Sequence, residues 1–110
     1  MSTLTHLFKK LFQPTIFASL LLFSCAVFAH YPLMHCQIEG VQISCEAGYS
    51  DGSKAVDYEV RMFDYDDNLI AKVDTDIRSI ATFEKMVEQF YIIFDAGHEY
   101  PVEVDSVEIK

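Results

Sequence analysis

Two cysteines bracket a Gly-Val pair in the stretch Cys36-Gln37-Ile38-Glu39-Gly40-Val41-Gln42-Ile43-Ser44-Cys45. Glycine at the first central position suits a two-residue type II′ hairpin turn. With Gly40 and Val41 at the tip, the facing pairs are 39:42, 38:43, 37:44 and 36:45, so Cys36 falls directly opposite Cys45. Cross-strand Cβ atoms stand about 4.5–5.5 Å apart. A disulfide spans slightly less, so a small pinch of the two strands closes the bond. Turn and cysteine spacing select the same register, and a Cys36–Cys45 disulfide is expected.

A disulfide requires an oxidising compartment, and the start of the chain reads as the means of reaching one. Met1 to Ala29 contains no Asp or Glu, Lys9 and Lys10 form a positive region, and Ile16 to Phe28 is apolar except for Ser19 and Ser24. This is the pattern of a secretory signal peptide cleaved after Ala29. The apolar run falls short of the roughly 20 residues of a spanning helix, which counts against an uncleaved anchor. Leu22-Phe23-Ser24-Cys25 loosely resembles a lipoprotein signal in which Cys25 would be acylated, but Phe23 stands where a small residue is usual. The expected product is a periplasmic or secreted domain, His30 to Lys110, of 81 residues. It loses two lysines and Cys25, so the net charge of −9 becomes 6 − 17 = −11 and the three cysteines become a pair. At that size a single core is marginal and one staple makes physical sense.

This acidity argues against a binder of nucleic-acid phosphates. A hydrophobic content of 51% argues against disorder. The segment His30 to His35 shows no clear period, and the hairpin strands begin at Cys36. Gly48 to Ser53 is rich in turn formers. Val56 to Phe63 alternates, with Val56, Tyr58, Val60 and Met62 on one face, as in a half-buried strand. Leu69 to Val73 returns as its hairpin partner. Ile77 to Phe83 is expected as a strand and Phe90 to Phe94 as a central one. Tyr100 to Val104 and Ser106 to Ile109 are further strand candidates. Phe83, Met86, Val87 and Phe90 have the spacing of one helical face, so Thr82 to Gln89 is expected as a short helix capped by Thr82. The fold class is all-β, a small antiparallel β-sandwich with one short helix.

The run Gly48, Ser50-Asp51-Gly52-Ser53, then Val60-Arg61-Met62-Phe63-Asp64, Asp67-Asn68, Leu69-Ile70-Ala71 and Thr75-Asp76 resembles the carboxypeptidase-regulatory-like or transthyretin-like β-sandwiches of exported bacterial proteins. Tyr91-Ile92-Ile93-Phe94-Asp95-Ala96-Gly97-His98 is similar to the last strand and turn of such domains in periplasmic accessory proteins of nickel and cobalt uptake. The resemblance covers roughly Cys45 to Val104. It implies a transthyretin-like sandwich and a link to metal handling, and it does not imply catalysis. The chain departs from the pattern at Ile77-Arg78-Ser79, where the family has an Asp-Gly turn followed by an alternating strand.

Cleavage after Ala29 would present both an α-amine and an imidazole on His30. Met34, His35 and His98 could complete a shell for copper or nickel, which take imidazole, amine and, for copper, thioether donors. Asp64, Asp66 and Asn68 imitate the start of a calcium loop, but Leu69 occupies the glycine position and Thr75 the position of the closing glutamate, so they read as a solvated hairpin loop. No nucleophile has a visible base beside it. Phe63 and Tyr91 fall on the more polar faces of their strands and form a candidate partner-binding patch. The expected function is a non-enzymatic periplasmic binding or accessory role linked to copper or nickel. The alternative is a metal-free structural or interaction module that docks on an envelope transporter or another periplasmic protein.

Overall fold

The Gly40-Val41 hairpin forms in the register that the cysteines select. In the computed structural model, which describes residues 30–97 and 100–110, β1 (Pro32–Glu39) pairs antiparallel with β2 (Gln42–Tyr49), and Cys36 faces Cys45. Gly40 has a φ of +61° while Val41 stays outside the left-handed region, as a type II′ turn requires. Counting outward from the turn, 36:45 is a pair without ladder hydrogen bonds, ordinarily about 4.5 Å between Cα atoms. The disulfide draws the two Cα atoms to 4.0 Å. The expected leader, Met1 to Ala29, lies outside the described residues, as does His98.

Five further strands follow: β3 (Glu59–Asp64), β4 (Leu69–Asp74), β5 (Ile80–Glu84), β6 (Phe90–Phe94) and β7 (Val102–Asp105). They make two antiparallel sheets, one ordered β1-β2-β5 and the other β4-β3-β6-β7. The alternation of each strand supplies the core between them. Cys36, Ile43, Cys45, Ala47, Ala81 and Phe83 come from the first sheet, and Val60, Met62, Phe90, Ile92 and Phe94 from the second. The small all-β sandwich is therefore as expected.

Several boundaries differ. The segment before Cys36 belongs to β1, because β2 is long enough to pair back to Pro32, opposite Tyr49. Proline is tolerated as the first residue of a strand. The base of this hairpin is closed by Ser50, whose N–H donates to the Tyr31 carbonyl at 2.8 Å and whose Oγ accepts from the Tyr31 N–H at 3.0 Å. Strand β3 starts at Glu59, since Asp57 takes a φ of 59° that no strand sustains. Val60 and Met62 are buried as their alternation predicts, whereas Val56 and Tyr58 lie ahead of the strand.

No helix forms over Thr82–Gln89. Thr82 and Glu84 are opposite Ser44 and Gln42 in the β2–β5 ladder, and Lys85 extends it by donating to the Val41 carbonyl. Phe83 and Phe90 are both buried, but in different sheets, and the link between them exposes 58% of Met86. Helical spacing here marks a crossing from one sheet to the other. The expected strand at Ile77 begins instead at Ile80. Asp76 Oδ1 accepts from the N–H groups of Arg78 and Ile80, and Ser79 takes a φ of 66°, so Ile77 sits on a turn tip, 81% exposed. Ser106–Ile109 is not a strand either. Asp105 caps a 3-10 turn over Ser106–Glu108 by accepting from the Val107 N–H.

A polar knot holds the chain between the sheets. Thr75 Oγ1 donates to the Ala55 carbonyl at 2.6 Å and accepts from the Tyr58 N–H at 3.0 Å. Ser79 Oγ accepts from the Ala55 N–H at 3.0 Å. Thr75 and Ser79 are both buried, so these bonds satisfy backbone groups that water does not reach.

Two outcomes follow from these constraints. Replacing Thr75 by Val keeps the shape but leaves the Ala55 carbonyl and Tyr58 amide short of a partner; a loss of about 1–3 kcal/mol is expected in urea unfolding. Cys36→Ser with Cys45→Ser removes the staple of a short loop, and chain-entropy reasoning gives a loss of about 2–3 kcal/mol, read by the same method.

Candidate functional site

Strand alternation separates Met34 from His35, two of the four residues expected to form a metal shell. Met34 points inward with Pro32 and Cys36 and packs against the core, whereas His35 points to solvent opposite Glu46. His30 lies beyond the strand, about 16 Å of extended chain from His35. Its Nε2 is 3.3 Å from Asp51 Oδ2, and its ring stacks on Tyr49 with centroids 4.6 Å apart and planes 18° apart. Asp51 is fixed for this contact, because its Oδ1 accepts from both the N–H and Oγ of Ser53. Those bonds, the Ser53 hydroxyl first, lower the Asp51 pKa. Among the described residues, no three His, Cys, Asp or Glu side chains gather as a metal ion would need.

The outer face of the four-stranded sheet is different in kind. Phe63 of β3 and Tyr91 of β6 are cross-strand partners, and their rings stack with centroids 5.2 Å apart and planes 14° apart. Leu69 lies opposite Phe63 on the other side, half exposed. The row Leu69–Phe63–Tyr91 is thus a continuous apolar stripe. Tyr91 is locked by a carboxylate, its Oη donating to Asp67 Oδ1, and Tyr65 Oη, outside the row, donates to Asp105 Oδ1, each at 2.6 Å. Beside the stripe, Ile93 and Phe63 floor a hollow of about 520 Å³ bounded by Glu59, Asp95 and Pro101. Arg61 lies in it, paired to Glu59.

The β3–β4 connection explains how Asp67 reaches Tyr91. Asp64 Oδ1 accepts from the N–H groups of Asp66 and Asn68, and its Oδ2 from the Asn68 side chain, which lowers its pKa. The calcium-like spacing is therefore spent on the loop's own amides. Asp67, at a φ of 65°, is turned out toward β6. The alternation of Phe63 and Tyr91 was legible in the sequence, but the two carboxylate locks were not, because they join residues 24 and 40 positions apart.

A second groove, of about 590 Å³, runs over the outer face of the three-stranded sheet, between β2 and the loop 50–54. Leu33, His35, Glu46, Lys54 and Arg78 line it. Gly48 lets the loop sit this close, since a Cβ there would come within 3.1 Å of the Ser53 carbonyl oxygen. Among the described residues no helix is long and apolar enough to cross a bilayer. Compared with known proteins, no family model, curated sequence or solved structure matches the chain.

Titration of the phenols tests the aromatic site. Donation to Asp67, with burial and the charges of Asp67, Glu103 and Asp64 adding to it, pushes Tyr91 up to about 12. Burial, with a smaller contribution from Tyr58, does the same to Tyr49, also to about 12. Both lie above the ordinary 10.0, so the stability they contribute is complete below pH 10 and is lost as the pH climbs toward 12. Tyrosinate absorbance should show late-ionising phenols among the six. Asp67→Asn should move one of them back toward 10, and no change on that substitution would contradict the lock.

Proposed function

We propose that this chain is an exported, non-catalytic binding module that docks a protein partner of the cell envelope through the outer face of its four-stranded sheet. The observation that carries the reading is the Leu69–Phe63–Tyr91 stripe on the outer face, with Leu69 exposed, Phe63 and Tyr91 half-buried, and Tyr91 pinned by Asp67. Rigid aromatic surface is what interfaces use for anchoring, since little side-chain entropy is lost on contact. Its fringe of Asp67, Glu103 and Asp105, on a domain of net charge −11, selects a segment bearing Lys or Arg. The Cys36–Cys45 disulfide supports an oxidising compartment. The two-sheet architecture is compatible with the carboxypeptidase-regulatory-like or transthyretin-like kinship, which belongs to this proposal.

The test uses site-specific photo-crosslinking at Tyr65 in cells, followed by affinity measurement with the purified captured partner. Phe63→Ala should weaken binding about tenfold or more, and raising the salt from about 50 to 500 mM should slow association. Unchanged affinity for Phe63→Ala would refute the docking face.

One contact favours a second reading. If His30 is the mature N-terminus, its amine and Nδ1 can chelate Cu(II) or Ni(II) while Asp51 orients the ring through Nε2, the usual work of a carboxylate behind a histidine ligand. Intact mass of the exported protein should then give His30 as first residue, and Cu(II) or Ni(II) should bind tighter than about 10 μM. Asp51→Asn should weaken that binding, and His30→Ala abolish it. An N-terminus elsewhere, or affinity indifferent to His30, excludes the chelate.

A further inference from the structure

The groove on the three-stranded sheet is lined by more cations than acids, the reverse of the chain as a whole. Its lining includes two cations, Lys54 and Arg78, against one acid, Glu46. Among the described residues Lys54 forms no ion pair, and Arg78 reaches Asp76 through a single nitrogen at 3.3 Å. That leaves most of the guanidinium donors for another oxygen. Both cations stand on backbone that is already fixed. Lys54 bridges to Gly48, beside the bond from the Tyr49 N–H to the Ser53 carbonyl. The Arg78 N–H is held by Asp76 Oδ1 at 2.8 Å. Binding there would not have to order the loop first. Leu33, apolar and half exposed, and the hydrogen-bonding groups of His35, Ser53 and Glu46 line the same groove.

We propose that this groove binds a small hydroxylated carboxylate, its carboxylate held by Lys54 and Arg78 and its hydroxyls by His35, Ser53 and Glu46. The inference is independent of the docking face, which lies on the other sheet. It also runs against the background field: a domain at −11 repels anions in general, so saturable anion binding would have to arise from a local arrangement. A groove of about 590 Å³ is within the range of small-molecule sites.

The experiment titrates the purified protein with glucuronate and follows backbone amide resonances. Glucuronate should shift Lys54, Arg78 and Leu33 with a saturable affinity of about 1 mM or better. Acetate, which carries the charge alone, and glucose, which carries the hydroxyls alone, should each bind at least about tenfold more weakly. Lys54→Gln with Arg78→Gln changes exposed side chains only and should weaken glucuronate by a similar factor. Absence of saturation, acetate or glucose binding as tight as glucuronate, shifts confined to another surface, or a double variant that binds normally would each overturn the proposal.

Discussion

The pairing of Cys36 with Cys45 governs more than the hairpin in which it sits. A strand has a side-chain period of two, so a slip of one residue would turn Ile43, Cys45 and Ala47 out of the core and bring Ser44 and Glu46 in. Strand β2 is the centre of its sheet and sets the register of β5 as well. A slip there would also displace Ala81 and Phe83. The covalent pair forbids that error between β1 and β2, and leaves β5 a single edge of fixed register to pair with. In a domain small enough for its core to be marginal, a fixed register on one sheet gives the other sheet a defined surface to pack against. Met62, Ile92 and Phe94, all fully buried, depend on that surface.

The parts legible in the sequence were those in which chemistry and period coincide. The Gly40 turn, the disulfide, the inward faces of Val60 and Met62, and the apolar run Phe90–Phe94 all follow from local rules. The misread parts are those in which a distant partner overrides a local pattern. Phe83, Met86, Val87 and Phe90 have helical spacing, yet the β2 ladder claims Thr82 and Glu84, and the two phenylalanines end in opposite sheets. Thr75 and Ser79 look like ordinary turn residues, yet they satisfy the backbone of Ala55 and Tyr58 from 17 to 24 positions away. Nothing local to residues 54–58 signals this knot, and the knot is what shortens β3 at its start.

The same period explains the fate of the candidate residues. Met34 and His35 are adjacent in sequence, which makes them an inviting donor pair for a flexible lead-in. Once β1 extends back to Pro32, adjacency becomes separation, because neighbouring residues in a strand face opposite sides. Phe63 and Tyr91 are far apart in sequence, and period two with the β3–β6 register brings them together. Where side chains meet across a sheet is decided by register, so spacing along the chain is informative only inside one turn or one hairpin.

Charge completes the division of the molecule into two faces. Carboxylates predominate among the described residues, but many have structural duties: Asp64 and Asp76 cap turns, Asp105 caps the 3-10 turn and holds Tyr65, and Asp67 holds Tyr91. Acids with duties cannot be neutralised without loosening the backbone they hold, so the acidity around the Phe63–Tyr91 stack is tied to the stability of its loops. The cations are fewer and three of them are paired locally: Arg61 to Glu59, Arg78 to Asp76 and Lys85 to Glu88. Lys54 is free to set the sign of its own neighbourhood, because the tight seat of its loop on Gly48 holds it over β2. An apolar stripe in an acidic frame on one sheet and a groove richer in cations on the other thus follow from the same distribution of charge: many of the acids are committed to holding turns, and Lys54, left over from pairing, sets the character of its groove.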